Sequence, residues 1–329
     1  MLFHHFFGFP SWYVEGISYI GIPLRANTAE YVLGQFGHIC VAIFAFLTGY
    51  GMFFSYQSGK IFRKTAKKLF GFLFSYWLIL FGVAIPLNLA LGKSDITLSL
   101  ILKNMVAYDC SLVPFAWYVR FYIEVVLTLP LFYKLMSKKP YITLPLFLLI
   151  PAIINYNLGK VPGLNDFIIK LVFFSMEYFL WLPCVLIGLC FARYKIFDHI
   201  GKLFGKLQKL ELPACILLLL AVMYIRAYKE DTIGVIFSFD VFYVPIFVFI
   251  CCRLLSVMPK HVGSVLSLLG NHSMNIWFLH SMFFFRTAEL MKYAYAPRVS
   301  ILIILWVIIL CMPLSCALNS ISDKILKNK

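Results

Sequence analysis

Charge is what this chain has least of. Asp, Glu, Lys and Arg make up 13% of its 329 residues, about half the share of an ordinary soluble domain. Acidic side chains are scarcer still, 14 against 29 basic ones. With 62% hydrophobic residues and a mean hydropathy of +0.89, that shortage excludes a soluble globular domain and implies a polytopic membrane protein. A formal charge of +15 in a soluble chain would suit nucleic acid. Beside long apolar runs it reads instead as Lys and Arg flanking a membrane, so the expected partner is the lipid bilayer and not nucleic acid. A CxxC pair is also missing. The nine cysteines (40, 110, 184, 190, 215, 251, 252, 311 and 316) lie mostly inside apolar runs, which argues against a zinc site or a disulfide framework and for packing residues. No metal is expected. The N-terminus lacks the basic start and small-residue cleavage site of a signal peptide, and no soluble insertion or low-complexity tract interrupts the chain. A single all-α transmembrane domain over 1–329 is the expectation.

What is present is a series of apolar runs. About 20 such residues cross a hydrocarbon core of about 30 Å, and runs of that kind fall near 37–57, 69–91, 112–133, 140–156, 171–192, 212–228, 235–252, 270–290 and 299–321. Ahead of these nine stands MLFHHFFGF, too short to cross alone. It reads as the outer end of a tenth span whose inner half would precede Met1. Alternate loops test the count: one set carries 18 of the 29 basic residues and the other 8, with Arg120, Arg226 and Arg286 in or at the ends of spans. By the positive-inside rule the richer set, which includes 58–68 and the C-terminus, is cytoplasmic, and loop 10–36 lies outside.

Ionisable groups within spans are costly and mark candidate sites. In AWYVRFYIEVV, Arg120 and Glu124 lie one turn apart, about 6 Å along the axis, next to Trp117 and Tyr118. They read either as a structural ion pair or as substrate contacts. Glu177, Asp240 and Arg286 add polar groups in the outer halves of their spans and imply a wet cavity open to the outside. Of seven histidines, His199 and His261 read as solvated and His38 as an interface residue. In GNHSMNIWFLHS, His280 follows His272 by eight residues, on the same helical face and about 12 Å away. His4 and His5 point about 100° apart, so one of them can serve as an acid/base group facing the interior. The cluster RKTAKK pairs Arg63 with Lys67 and Lys64 with Lys68 at one-turn spacing. Such a run serves either as a topology determinant drawn to anionic lipid or as a cradle for the phosphates of an anionic ligand.

In order along the chain, FHHFFG, FAFLTGYGMFFSY with RKTAKK, WYVRFYIEVVLTLP and GNHSMNIWFLHSMFF together resemble the membrane-bound acyltransferase family three. The resemblance covers essentially the whole chain. It implies about ten spans and transfer of an acyl group, usually acetyl, to a hydroxyl of an envelope glycan or polysaccharide outside the cytoplasmic membrane. The donor substrate it implies is acyl-CoA, typically acetyl-CoA, with no bound cofactor. By position it makes His5 or His4 the acid/base group, Arg63, Lys64, Lys67 and Lys68 the donor-phosphate site, and Trp117, Tyr118, Arg120, Glu124 and His280 the acceptor cavity. The family's basic residue, eleven positions before its histidine, would fall ahead of Met1. Lysine replaces arginine in the second basic position, and Ala45 and Thr48 depart from the family's pattern at 44–49. A glycan or solute transporter and an inactive relative are the rival expectations.

Overall fold

The computed structural model describes residues 1–24, 27–138, 140–158, 166–228, 232–233, 237–284 and 286–327. Arg25, Lys139, Lys160, Lys229 and Lys329 from the charge count, and the start of the 235–252 run, lie outside the described residues.

The fold is all-α. Its helices are α1 (Leu2–Phe7), α2 (Ala29–Gly37), α3 (Cys40–Gln57), α4 (Ile61–Ile79), α5 (Ile85–Ala90), α6 (Leu98–Met105), α7 (Trp117–Lys138), α8 (Pro140–Leu158), α9 (Asp166–Arg193), α10 (Ile196–Gly205), α11 (Glu211–Tyr228), α12 (Asp240–Val257), α13 (Lys260–His280), α14 (Ala288–Ala294) and α15 (Ser300–Lys327). A π-helical turn over Leu80–Ala84 makes α4 and α5 continuous. The described strands are two short antiparallel pairs, Pro23–Leu24 with Asn27–Thr28 and Thr232–Ile233 with Phe237–Ser238.

Six stretches among the described residues are long and apolar enough to cross a membrane: Ala29–Gln57, Ile61–Ala90, Met176–Arg193, Gln208–Tyr228, Asp240–Val257 and Ser300–Leu326. Helices α7, α8 and α13 are as long, at 22, 19 and 21 residues, and α7 and α13 are more polar. Large side chains such as Leu217 and Ile309 stand exposed along the spans, which suits a lipid solvent and not water. The protein is a multi-pass membrane protein.

Several span boundaries differ from the sequence reading; the 69–91 run, for one, is helical from Ile61. The 112–133 run begins as helix only at Trp117 and extends to Lys138. The 270–290 run is really Lys260–His280, started after Pro259 and stopped by a 3-10 turn at Ser281–Phe283. Polar residues at 260–272 hid its first half from a hydropathy count. At its end, Ser281 Oγ donates to the Phe278 carbonyl at 2.6 Å, a local side-chain bond that competes with continued helix.

The chain forms two compact units. The first comprises Met1–Gly37, Lys67–Ile123 and Pro259–Lys329. Its core joins Phe6 and Phe7 of α1 to Tyr76, Ile79, Val119, Phe278, Leu279, Tyr295, Ile303 and Val307. The second comprises His38–Ala66 and Glu124–Met258. In it α3 and α9 approach at backbone distance, because a Cβ on Gly49 would strike the Val185 carbonyl and one on Gly188 the Phe46 carbonyl. Small residues at such a crossing are how helices associate in lipid, and this gives Gly49 of the FAFLTG stretch a packing reason.

Candidate active site

Helix α1 is only six residues long, so its position depends on what holds it. It lies against α2 because glycines face each other there: a Cβ on Gly34 would sit 2.7 Å from the Gly8 nitrogen, and one on Gly37 3.2 Å from His4 Cβ. Gln35 Nε2 donates to the Gly8 carbonyl at 2.8 Å. At the far side, the hydroxyls of Tyr13 and Tyr295 both donate to the Phe6 carbonyl, at 2.6 and 2.5 Å. Burial pushes both phenols above their ordinary range, so they stay protonated as donors.

This clamp buries both histidines and sends them different ways. His4 Nδ1 lies 2.9 Å from the Gly34 carbonyl, which fixes its proton on Nδ1 and ties α1 to α2. His5 reaches α13: its Nδ1 is 2.6 Å from His280 Nε2, with the two rings stacked at 4.9 Å and 17°. His280 Nδ1 in turn lies 2.7 Å from the Ile276 carbonyl. A carbonyl only accepts, so His280 Nδ1 carries a proton, and in a neutral imidazole Nε2 is then an acceptor. His5 must donate from Nδ1, which leaves its Nε2 as the basic nitrogen. Phe115 stacks on His5 at 3.9 Å and 12°. Its backbone has φ of 63°, a left-handed conformation costing a bulky residue about 1–2 kcal/mol, of the kind retained where surrounding structure enforces it.

The other predicted cavity residues distribute unevenly. Trp117, Tyr118 and Arg120 lie in the first unit with the histidines. Tyr118 is buried against the Trp277 ring at 5.0 Å, Trp117 is half-buried beside it, and Arg120 Nη1 donates to the Ala107 carbonyl at 3.2 Å. Arg286 donates to the Ser111 carbonyl at 2.8 Å and also to that of Leu112, holding the loop that presents Phe115. Glu124 belongs to the second unit, where Thr128 Oγ donates to its carbonyl at 2.8 Å and meets the Tyr178 hydroxyl at 2.7 Å. In the basic cluster on α4, Arg63, Lys67 and Lys68 are exposed and Lys64 is half-buried. Next to α1, a groove of about 630 Å³ opens between Phe9, Ser11, Tyr19, Asn27, Thr28 and Tyr31. Phe9 meets the His4 ring edge-on at 4.8 Å.

Two polar networks escaped the sequence reading. In the second unit Arg226 grips Asp240 through Nε at 2.6 Å and Nη2 at 3.1 Å, and its Nη2 is also 3.2 Å from His38 Nδ1. His38, expected as a bland interface residue, is therefore part of a buried charged group. In the first unit His272 Nδ1 meets Ser315 Oγ at 2.7 Å, and Asn275 bridges Ser315 and Asn319. The i,i+3 spacing of His272 and Asn275 was a signal for the latter. Phe115 gave none, since only tertiary structure brings it to His5. Compared with family models, with curated proteins and with solved structures, the chain finds no match.

Proposed function

We propose that this protein is an integral membrane O-acyltransferase that moves an acetyl group from an acetyl-CoA-type donor to a hydroxyl of an extracytoplasmic glycan. The observation that carries the reading is the buried contact of His5 with His280. His5 Nε2 takes the proton of the acceptor hydroxyl as that oxygen attacks the thioester carbonyl. The charge gained is shared with the second imidazole behind Nδ1. His4, backed by a carbonyl alone, holds α1 in place. The groove beside α1, with aromatic faces interleaved with Ser, Thr and Asn, suits a sugar, which offers both an apolar ring face and hydroxyls. The cations at Arg63, Lys64, Lys67 and Lys68 suit the donor's phosphates. Collapse of the tetrahedral intermediate breaks the C–S bond, and the proton held on His5 goes to the departing thiolate.

A solute or glycan transporter is the second reading. The buried Arg226–Asp240–His38 group favours it, because paired charges within spans also line transport paths. Membranes carrying the full chain, supplied with labelled acetyl-CoA and a hydroxyl-bearing glycan, separate the two. Label recovered in the glycan supports the enzyme, while glycan crossing the bilayer without label overturns it.

A further inference from the structure

Between α9 and α11 the chain makes a short helix that neither reading uses. Both neighbours are spans, ending at Arg193 and starting by Glu211, so the connection sits at one face of the bilayer. At ten residues, α10 is about 15 Å long and cannot cross. It turns Phe197, Ile200 and Phe204 onto Phe249, Ile250 and Cys215. The opposite side is mixed: His199, Lys202, Leu203 and Lys206 follow at i, i+3, i+4 and i+7, all exposed. Exposed Leu207, Lys209 and Leu210 continue it. Over 193–210 there are five basic residues and one acid, Asp198.

Beside this helix is a cavity of about 250 Å³ lined by Lys209, Glu211, Leu212, Arg253, Leu254 and Val257. Arg253 is paired with Glu211 there, which holds its guanidinium at the cavity wall. A rim carrying Lys209 and the Arg253–Glu211 pair, an apolar floor and leucines projecting on and just after an interfacial helix match one partner by charge and shape. That partner is a phospholipid with an anionic headgroup, its phosphate at Lys209 and Arg253 and its chains along Leu203, Leu207 and Leu210.

We infer that α10 and the adjoining cavity form a binding site for an anionic phospholipid. The inference does not rest on the acyltransferase reading. Each lysine near an anionic headgroup contributes about fivefold to binding, so losing three weakens it about a hundredfold. The test is native mass spectrometry of the full chain in detergent with phosphatidylglycerol, phosphatidylcholine or inorganic phosphate added. The wild type should retain phosphatidylglycerol over phosphatidylcholine. A triple Lys202→Gln, Lys206→Gln, Lys209→Gln variant with unchanged melting should lose that preference, and the matching Lys→Arg variant should keep it. Equal retention of both lipids, full retention in the Gln variant, or displacement of the lipid by millimolar inorganic phosphate would overturn the inference.

Discussion

Replacing His280 tests the proposed chemistry without touching the proposed base, His5. With leucine at 280, His5 Nδ1–H loses its acceptor at 2.6 Å in a site that is almost fully buried, His5 being 8% exposed. Leaving a buried donor unpaired costs about 2 kcal/mol. The imidazole avoids part of that by moving its proton to Nε2, the nitrogen proposed to accept one from the acceptor hydroxyl. Either outcome takes about 2 kcal/mol from the transition state, a fall of about 30-fold in kcat. Donor and acceptor KM should hardly change, because in the proposed arrangement His280 stands behind His5 Nδ1, on the side away from the Nε2 that would meet the acceptor. Glutamine places an amide oxygen near the position of Nε2, so His280→Gln should retain most of the rate and His280→Leu should not. The assay is transfer of labelled acetyl by membranes with matched amounts of each variant. Equal loss in both variants, or wild-type kcat in His280→Leu, would refute the tautomer reasoning.

Gly49→Ala should destabilise the second unit by about 1–3 kcal/mol through overpacking at the α3–α9 crossing. Gly51→Ala, where nothing lies within 4 Å, should instead gain up to about 1 kcal/mol of helix propensity, both read by thermal melting in detergent. Asp240→Asn removes the charge that neutralises buried Arg226 and should cost about 3–5 kcal/mol; the double variant with Arg226→Met should recover a large part of the lost melting temperature, and no recovery would show that the pair is not the cause. Tyr13 and Tyr295 have raised phenol pKa values, so their contribution to stability is whole below the unfolded value of about 10 and is lost as pH rises beyond it. Melting temperature should fall above about pH 10, and less steeply in Tyr295→Phe than in the wild type.

The sequence disclosed the membrane class and most spans because lipid demands long apolar helices, and composition alone reports them. It misplaced the helix ending at His280, since the half that starts at Lys260 is too polar for a hydropathy count and the true stop is a serine bonding back to the Phe278 carbonyl. His4, His5 and His280 were visible as residues of the right chemistry. The division of labour proposed for them was not, because the contacts behind it depend on Gly34 and Gly37 bringing α2 under α1 and on two tyrosines holding Phe6. Asp240 stood out as a charge in a span, but its grip by Arg226, 14 positions away, required the helices to pack. The lysines of α10 counted only as topology signals until the fold showed which side of that helix remains exposed.

We propose His5 as the base and His4 as the anchor of α1. Label transfer from acetyl-CoA to glycan, measured side by side for His5→Ala and His4→Ala, decides between them. Loss of transfer in His5→Ala by about 10²-fold or more, with transfer retained in His4→Ala at matched folded protein, is the predicted result. Transfer surviving in His5→Ala would contradict it.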